Sequence, residues 1–388
     1  MSERRGWAGA VMAVAVFGAV VHVAGVSPAG AATLRLINRD GSGEGFNDPT
    51  PASPVGGNTG TTIGEQRLIA FQRAVDLWAE QLDSPVEIRI SATFDPLPCS
   101  SATVTLGMAG PASVFRDFAG APLANTYYPS ALADRLAGVD LGPDEDDIEA
   151  TFNSRFGTTC TFPAGWYYGL DASPTGDDSD MVTVVLHELG HGFGFLSLVD
   201  VNDGSRFDNR DDVFLTFLLD DRSGATLSSM TNAQRRSAIV ATTHLKWFGE
   251  QVVAASGRVD SGADASGRVE MYAPAEPEEG SSVSHWSDDL FPNELMEAFF
   301  TQPIHDVGLA AEALRDIGWS APAACQADCD GNRQVTINEL VSAVRIALGE
   351  ALVSTCTAVD VDNSGTVAIN ELIGAVDRAI GGCDAPGQ

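Results

Sequence analysis

The sequence predicts an α+β protein that ends in a separate, small all-α tail. Three observations carry this. Helical and strand periodicities alternate through the N-terminal half, an apolar helix with two histidines one turn apart follows, and the C-terminal end holds a duplicated acidic loop with a helical pattern after each copy.

The elements follow in chain order. Met1 to Ala32 has Arg4 and Arg5, an apolar run from Trp7 to Val26 and small residues at Ala29-Gly30-Ala31-Ala32, a secretory signal pattern with cleavage after Ala31 or Ala32. An uncleaved N-terminal anchor is the alternative, and no later segment is apolar enough to cross a membrane. Ile63 to Leu82 places Leu68, Phe71, Val75, Trp78 and Leu82 on one helical stripe. Val86 to Phe94 alternates Val86, Ile88 and Ile90 with Glu87, Arg89 and Ser91, a half-buried strand. Further strands are expected near Ala102 to Leu106 and at Tyr127, a helix near Asn232 to Phe248, and a closing helix beginning at Leu309 to Leu314. Pro322 to Ala324 reads as a linker. The expected boundaries are a leader at 1–32, a main domain at 33–320, a linker at 321–324 and a repeat domain at 325–385.

At 388 residues with 44% hydrophobic content the chain has ample core. Its net charge is −31; the leader's Glu3, Arg4 and Arg5 carry +1, so removing them leaves −32. Such a chain is repelled by nucleic acid and anionic lipid. The acidic clusters Asp144 to Asp147 and Asp177 to Asp180 read as solvated loops before they read as calcium sites. Six cysteines in an exported chain imply disulfides. Cys99 pairs with Cys160 in the main domain, and three pairings remain open among Cys325, Cys329, Cys356 and Cys383.

Met181 to Phe195 (MVTVVLHELGHGFGF) carries the chemistry. The i, i+4 spacing sets His187 and His191 on one face, where two imidazoles can grip one ion, while Val182, Val185, Leu189 and Phe193 anchor the other face. Zinc with three protein ligands keeps a position for water, and Glu188 beside it can act as general base. The chance reading, two ordinary core histidines, competes until a third ligand is found. His244, in an apparent helix with Leu245, Trp247 and Phe248, reads as a packed or surface residue. His305 remains as a supporting or surface group, and Glu250 as the glutamate ligand of a thermolysin-like arrangement. His285 is the other candidate.

The run through Gly194 resembles the metzincin signature H-E-x-x-H-x-x-G-x-x-H, but Ser197 stands where that clan has its third histidine. The later segment Ser284-His285-Trp286 followed by Glu294-Leu295-Met296 is similar to the leishmanolysin-like branch, whose third histidine arrives after an insertion, just before a methionine turn. The resemblance covers roughly Ile63 to Trp319. It implies a metzincin-like, two-subdomain zinc peptidase: a mixed sheet plus active-site helix to about 196, then an insertion and lower subdomain at 197–320. His285 becomes the third ligand and Met296 the methionine beneath the site. Ala298 stands where some metzincins add a tyrosine ligand, so three histidines and water are expected. The implied activity is a secreted zinc endopeptidase acting on polypeptides with Glu188 as general base. The alternative is an inactive, calcium-dependent adhesion or scaffold protein on the same fold.

In the tail, Asp328, Asp330, Asn332, Gln334 and Glu339 align with Asp360, Asp362, Ser364, Thr366 and Glu371. Both runs resemble EF-hand calcium loops, with oxygen ligands at positions 1, 3, 5, 7 and 12. Gly365 holds position 6 of the second loop, and Arg333 that of the first. The repeat is also similar to dockerin modules, which implies a cohesin-like or cell-surface partner. Ile337-Asn338 and Ile369-Asn370 replace the usual polar recognition residues, and a stapled, stabilising calcium domain is the plainer expectation.

Overall fold

The computed structural model describes residues 31–322, 325–330, 334–362 and 364–383. The leader reading on 1–30, residues 323–324 of the linker, Asn332 and Arg333 lie outside the described residues. Among those described, the protein is α+β, with eight α-helices: α1 (Ile63–Ala79), α2 (Ser130–Ala137), α3 (Met181–Phe193), α4 (Asn232–Ile239), α5 (Glu250–Ala255), α6 (Gly308–Ile317), α7 (Ile337–Ala347) and α8 (Ile369–Gly381). Among the described residues no helix is long and apolar enough to cross a membrane. The described chain forms two compact units. The first comprises 34–78 and 86–319; the second comprises 31–33, 79–85 and the tail from Ser320.

The first unit is built around a four-stranded sheet. Leu34–Asn38, Ile88–Asp95 and Ile148–Asn153 run parallel in that order, and Gly107–Pro111 is antiparallel at the edge. Ile88, Ile90, Ala92 and Phe94 are buried in strict alternation, as the period-2 pattern requires. The strand starts at Ile88 rather than Val86, and α1 ends at Ala79 short of Leu82. The expected strand near Ala102 to Leu106 is displaced: only an isolated bridge, Cys99 to Val104, forms there, and pairing begins at Gly107.

α3 lies against this sheet because its glycines let it. A Cβ on Gly192 would stand 2.5 Å from Ile148 Cγ2. From the other side Trp78 Nε1 of α1 donates to Leu186 O at 2.9 Å, and the Trp78 and Phe193 rings meet edge-on at 5.4 Å. Asp180 caps the N-terminus through Thr183 N at 2.7 Å, and Gly194, at φ +118°, ends the helix in a conformation that favours glycine.

After α3 a second, antiparallel sheet orders Ala225–Thr226, Leu218–Asp220, Leu245–Trp247 and Val269–Glu270. This corrects the helix expected over Asn232 to Phe248. α4 stops at Ile239, Thr243 takes φ +65°, and Leu245-Lys246-Trp247 pair with Leu218–Asp220. Fully buried Trp247 then packs against Phe195, Phe214, Phe217 and Trp286, a tertiary contact that overrides local helical spacing. Cys99 bonds to Cys160 in this unit.

In the second unit α7 and α8 pack over a small core containing Val335, Ala343, Ile346, Val359, Val367 and Ala375. Of the three open pairings the chain adopts Cys325–Cys383 and Cys329–Cys356. With so little apolar core, such crosslinks contribute a large share of stability, typically about 2–4 kcal/mol each.

Candidate metal centre

α3 brings His187 and His191 to one face, and the chain returns almost a hundred residues later to set His285 opposite them. The return is fixed by backbone pairing. Tyr272 N donates to His285 O and Trp286 N to Met296 O, both at 2.8 Å, while Trp286 is wholly buried against Phe195. The three Nε2 atoms form a triangle with sides of 3.0, 3.2 and 3.2 Å.

That triangle is not a hydrogen-bonded one. His187 Nδ1 meets Leu295 O at 2.9 Å, His191 Nδ1 meets Phe195 O at 2.8 Å, and His285 Nδ1 meets Ser281 O at 2.8 Å. A carbonyl only accepts, so each Nδ1 carries the proton and each Nε2 presents a lone pair. Burial holds all three rings neutral: His187 lies below the usual histidine range, His191 is pushed down to about 3 with His187 adding to the effect, and His285 lies well below it. Three converging lone pairs repel one another unless a cation sits among them. Tetrahedral bonds of about 2.0–2.1 Å put neighbouring nitrogens about 3.3 Å apart, so the donor set fits a zinc-like ion.

Glu188 is buried beside the triad, under the edge strand. Its burial pushes the carboxyl up to about 8, opposed by a hydrogen bond to the Ala109 backbone. The strand passes that closely only because residue 107 is glycine: a Cβ there would lie 2.8 Å from Glu188 Cγ and 2.9 Å from Oε1. Beneath α3, Met296 is fully buried with its sulfur against Gly190, where a Cβ would come within 2.6 Å of Sδ.

Ser197 takes a structural part. Its Oγ donates to Asp212 Oδ2 at 2.9 Å, and its backbone N donates to Ser284 Oγ at 3.1 Å, next to His285. Asp212 also accepts from Leu198 N and Leu215 N, so one buried carboxyl ties the segment leaving α3 to residues 212–215. The sequence carries no signal for Asp212, nor for Gly107.

The remaining candidates lie elsewhere. His244 is exposed on a turn, with Nδ1 2.6 Å from Asp221 Oδ1, not on a helix. His305 Nε2 meets Asp180 Oδ1 at 2.8 Å, and Ile304 N donates to Thr183 Oγ1, so this segment fastens the start of α3. Glu250 is exposed at the first residue of α5. The acidic clusters mostly have protein partners: Asp146 pairs with Arg39 and Arg89, Asp147 accepts from Arg89 N, and Asp180 caps α3.

In the second unit the structure gathers Asp328, Asp330 and Glu339 into one acidic group that could hold a cation, and Asp360, Asp362 and Glu371 into another. Glu339 accepts from Cys329 N and Thr336 N; Glu371 accepts from Val361 N and Ala368 N, so each carboxylate spans its loop and starts its helix. Gly365 takes φ +80° in the second loop. Ser364 Oγ and the Thr366 carbonyl lie 3.1 Å apart, and Gln334 is an exposed residue of the first loop.

Comparison with protein families, with curated proteins and with solved structures finds no match to this chain.

Proposed function

We propose that the protein is a secreted zinc-dependent endopeptidase of the leishmanolysin-like type. The observation that carries this reading is the convergence of the His187, His191 and His285 Nε2 atoms, each fixed as a lone-pair donor, with the Glu188 carboxyl buried alongside. A zinc ion held there would polarise a peptide carbonyl and lower the pKa of water in its open position toward neutrality. Glu188 takes the proton of the attacking water and hands it to the leaving amine. Its burial favours holding that proton between the two steps, and the hydrogen bond from the Ala109 backbone pulls the other way. The Gly107–Pro111 strand, at the sheet edge over Glu188, suits an extended polypeptide that adds as a further strand. Three disulfides fit an oxidising, extracellular setting.

For the second unit the reading is a pair of EF-hand-like calcium loops, supported most at Asp360 to Glu371, where Gly365 supplies the turn and the carboxylates converge.

Hydrolysis of labelled casein, with metal content measured in parallel, tests the peptidase. Glu188→Gln is expected to keep zinc and lose activity by about 10²–10⁴-fold, and His285→Ala to lose zinc. Metal retained in His285→Ala would favour a glutamate-ligand arrangement. Folded wild type that binds calcium but neither binds zinc nor cleaves would leave the adhesion reading.

A further inference from the structure

Each helix of the second unit buries one stripe and exposes another. Leu340, Ala343 and Ile346 of α7 face the core shared with Leu372, Ala375 and Ala379 of α8. Outward, α7 and its C-cap carry Ile337, Val341, Val344 and Leu348, which are 79, 53, 44 and 68% exposed. α8 carries Ile369, Ile373, Val376 and Ile380, which are 76, 58, 43 and 83% exposed. Both sets follow i, i+4, i+7, i+11, the spacing of a helix-bundle seam, where a merely solvated face carries charged side chains.

We propose that these stripes form a homotypic interface, in which a second copy of the chain sets its α8 against α7 of the first and its α7 against α8. Two observations select a second copy as the occupant. Apolar ridges at this spacing are complemented by ridges of the same kind on another helix, and eight such side chains present an area comparable to the roughly 800 Å² each partner contributes to a standard interface. Charge then fixes the pairing. Arg345 follows Val344 on α7, and Asp377 follows Val376 at the equivalent position of α8, both exposed. α7 against α8 sets opposite signs together, whereas α7 against α7 sets arginine against arginine. A contact in which residue i of one copy meets j of the other, and j meets i, closes as a twofold dimer.

The net charge of −31 opposes the approach of two copies. Repulsion is screened over about 8–10 Å at physiological salt while apolar burial is not, so the dimer tightens as salt rises. A partner recruited by the chain's acidity would be released instead.

Sedimentation velocity of the intact secreted chain in calcium buffer, across concentration and salt, tests this. The expected result is a monomer–dimer equilibrium that tightens with salt. Val341→Glu with Ile373→Glu, placed at exposed positions, should weaken it on the order of a hundredfold by bringing charge into the apolar contact, with circular dichroism and calcium binding unchanged. Arg345→Asp should also weaken it, and adding Asp377→Arg should restore it. A monomer under every condition overturns the proposal, whether or not the chain is captured by a cohesin domain. So does a dimer indifferent to the two glutamates.

Discussion

Gly190→Ala should act opposite to its usual sign. In an ordinary helix interior, alanine for glycine stabilises by about 1 kcal/mol. Here the added Cβ would lie 2.6 Å from Met296 Sδ, 3.2 Å from its Cε and 3.5 Å from Trp78 Cζ2. Ordinary contact needs about 3.5–4.0 Å, so the methionine sulfur must retreat by about 1 Å. It is fully buried, as are Trp78 and Phe193 nearby. Overpacking of this kind costs about 1–3 kcal/mol, which offsets the helical gain and leaves a net loss of about 0–2 kcal/mol. The larger effect falls on the metal centre. The carbonyl one residue before Met296, Leu295 O, orients His187 at 2.9 Å. Disturbing such a partner typically costs about 10–100-fold in metal affinity. Urea unfolding of the metal-free protein and zinc competition with a chelator measure the two quantities, and Gly190→Ala with Met296→Ala should recover much of the affinity by opening space. A Gly190→Ala protein about 1 kcal/mol more stable than wild type, with undiminished zinc affinity, would show that Met296 yields to the added methyl without cost.

Two further outcomes are expected. Asp134 and Asp147 are buried carboxyls that share a site, and burial, with Asp147 adding to it, pushes Asp134 up to about 8. The folded state therefore binds a proton the unfolded chain releases near pH 4, so this contribution is full below about pH 4 and is lost as pH rises toward 8. Asp134→Asn should flatten the pH dependence of unfolding in that window and exceed wild type in stability at its alkaline end; an unchanged slope would count against the shared proton. Calcium should raise the thermal midpoint of the wild-type protein through the second unit. Glu371→Gln should lose most of that gain, because its carboxylate converges with those of Asp360 and Asp362 and the substitution removes its charge; an equal gain in the variant would remove Glu371 from the site.

What could be read from the chain was local. His187 and His191 are one turn apart on an uninterrupted apolar helix, so their shared face follows from helical geometry alone. Ile88 to Phe94 alternates cleanly and is a strand. Where long-range packing decides, the residues were silent or misleading. Leu245-Lys246-Trp247 fits a helical spacing until Trp247 finds Phe214 and Phe217. The edge strand Gly-Met-Ala-Gly-Pro has almost no strand propensity, and its position over Glu188 depends on the smallness of Gly107. His285 could be proposed only through resemblance, because nothing near it in sequence says that its ring meets two others across 94 and 98 residues. In the tail, the repeat was plain, but which stripe of each helix turned outward was not.

The orientation of the three imidazoles rests entirely on main-chain oxygens, those of Phe195, Ser281 and Leu295. No side-chain substitution at those positions deletes the acceptor, because every residue brings the same carbonyl. The centre is thus tolerant of drift in the letters around it and intolerant of inserted or deleted residues that shift the loops. Over evolutionary time such an arrangement can keep its chemistry while the surrounding sequence loses all detectable likeness to its ancestors, and it would be traced by loop length and backbone course sooner than by residue identity.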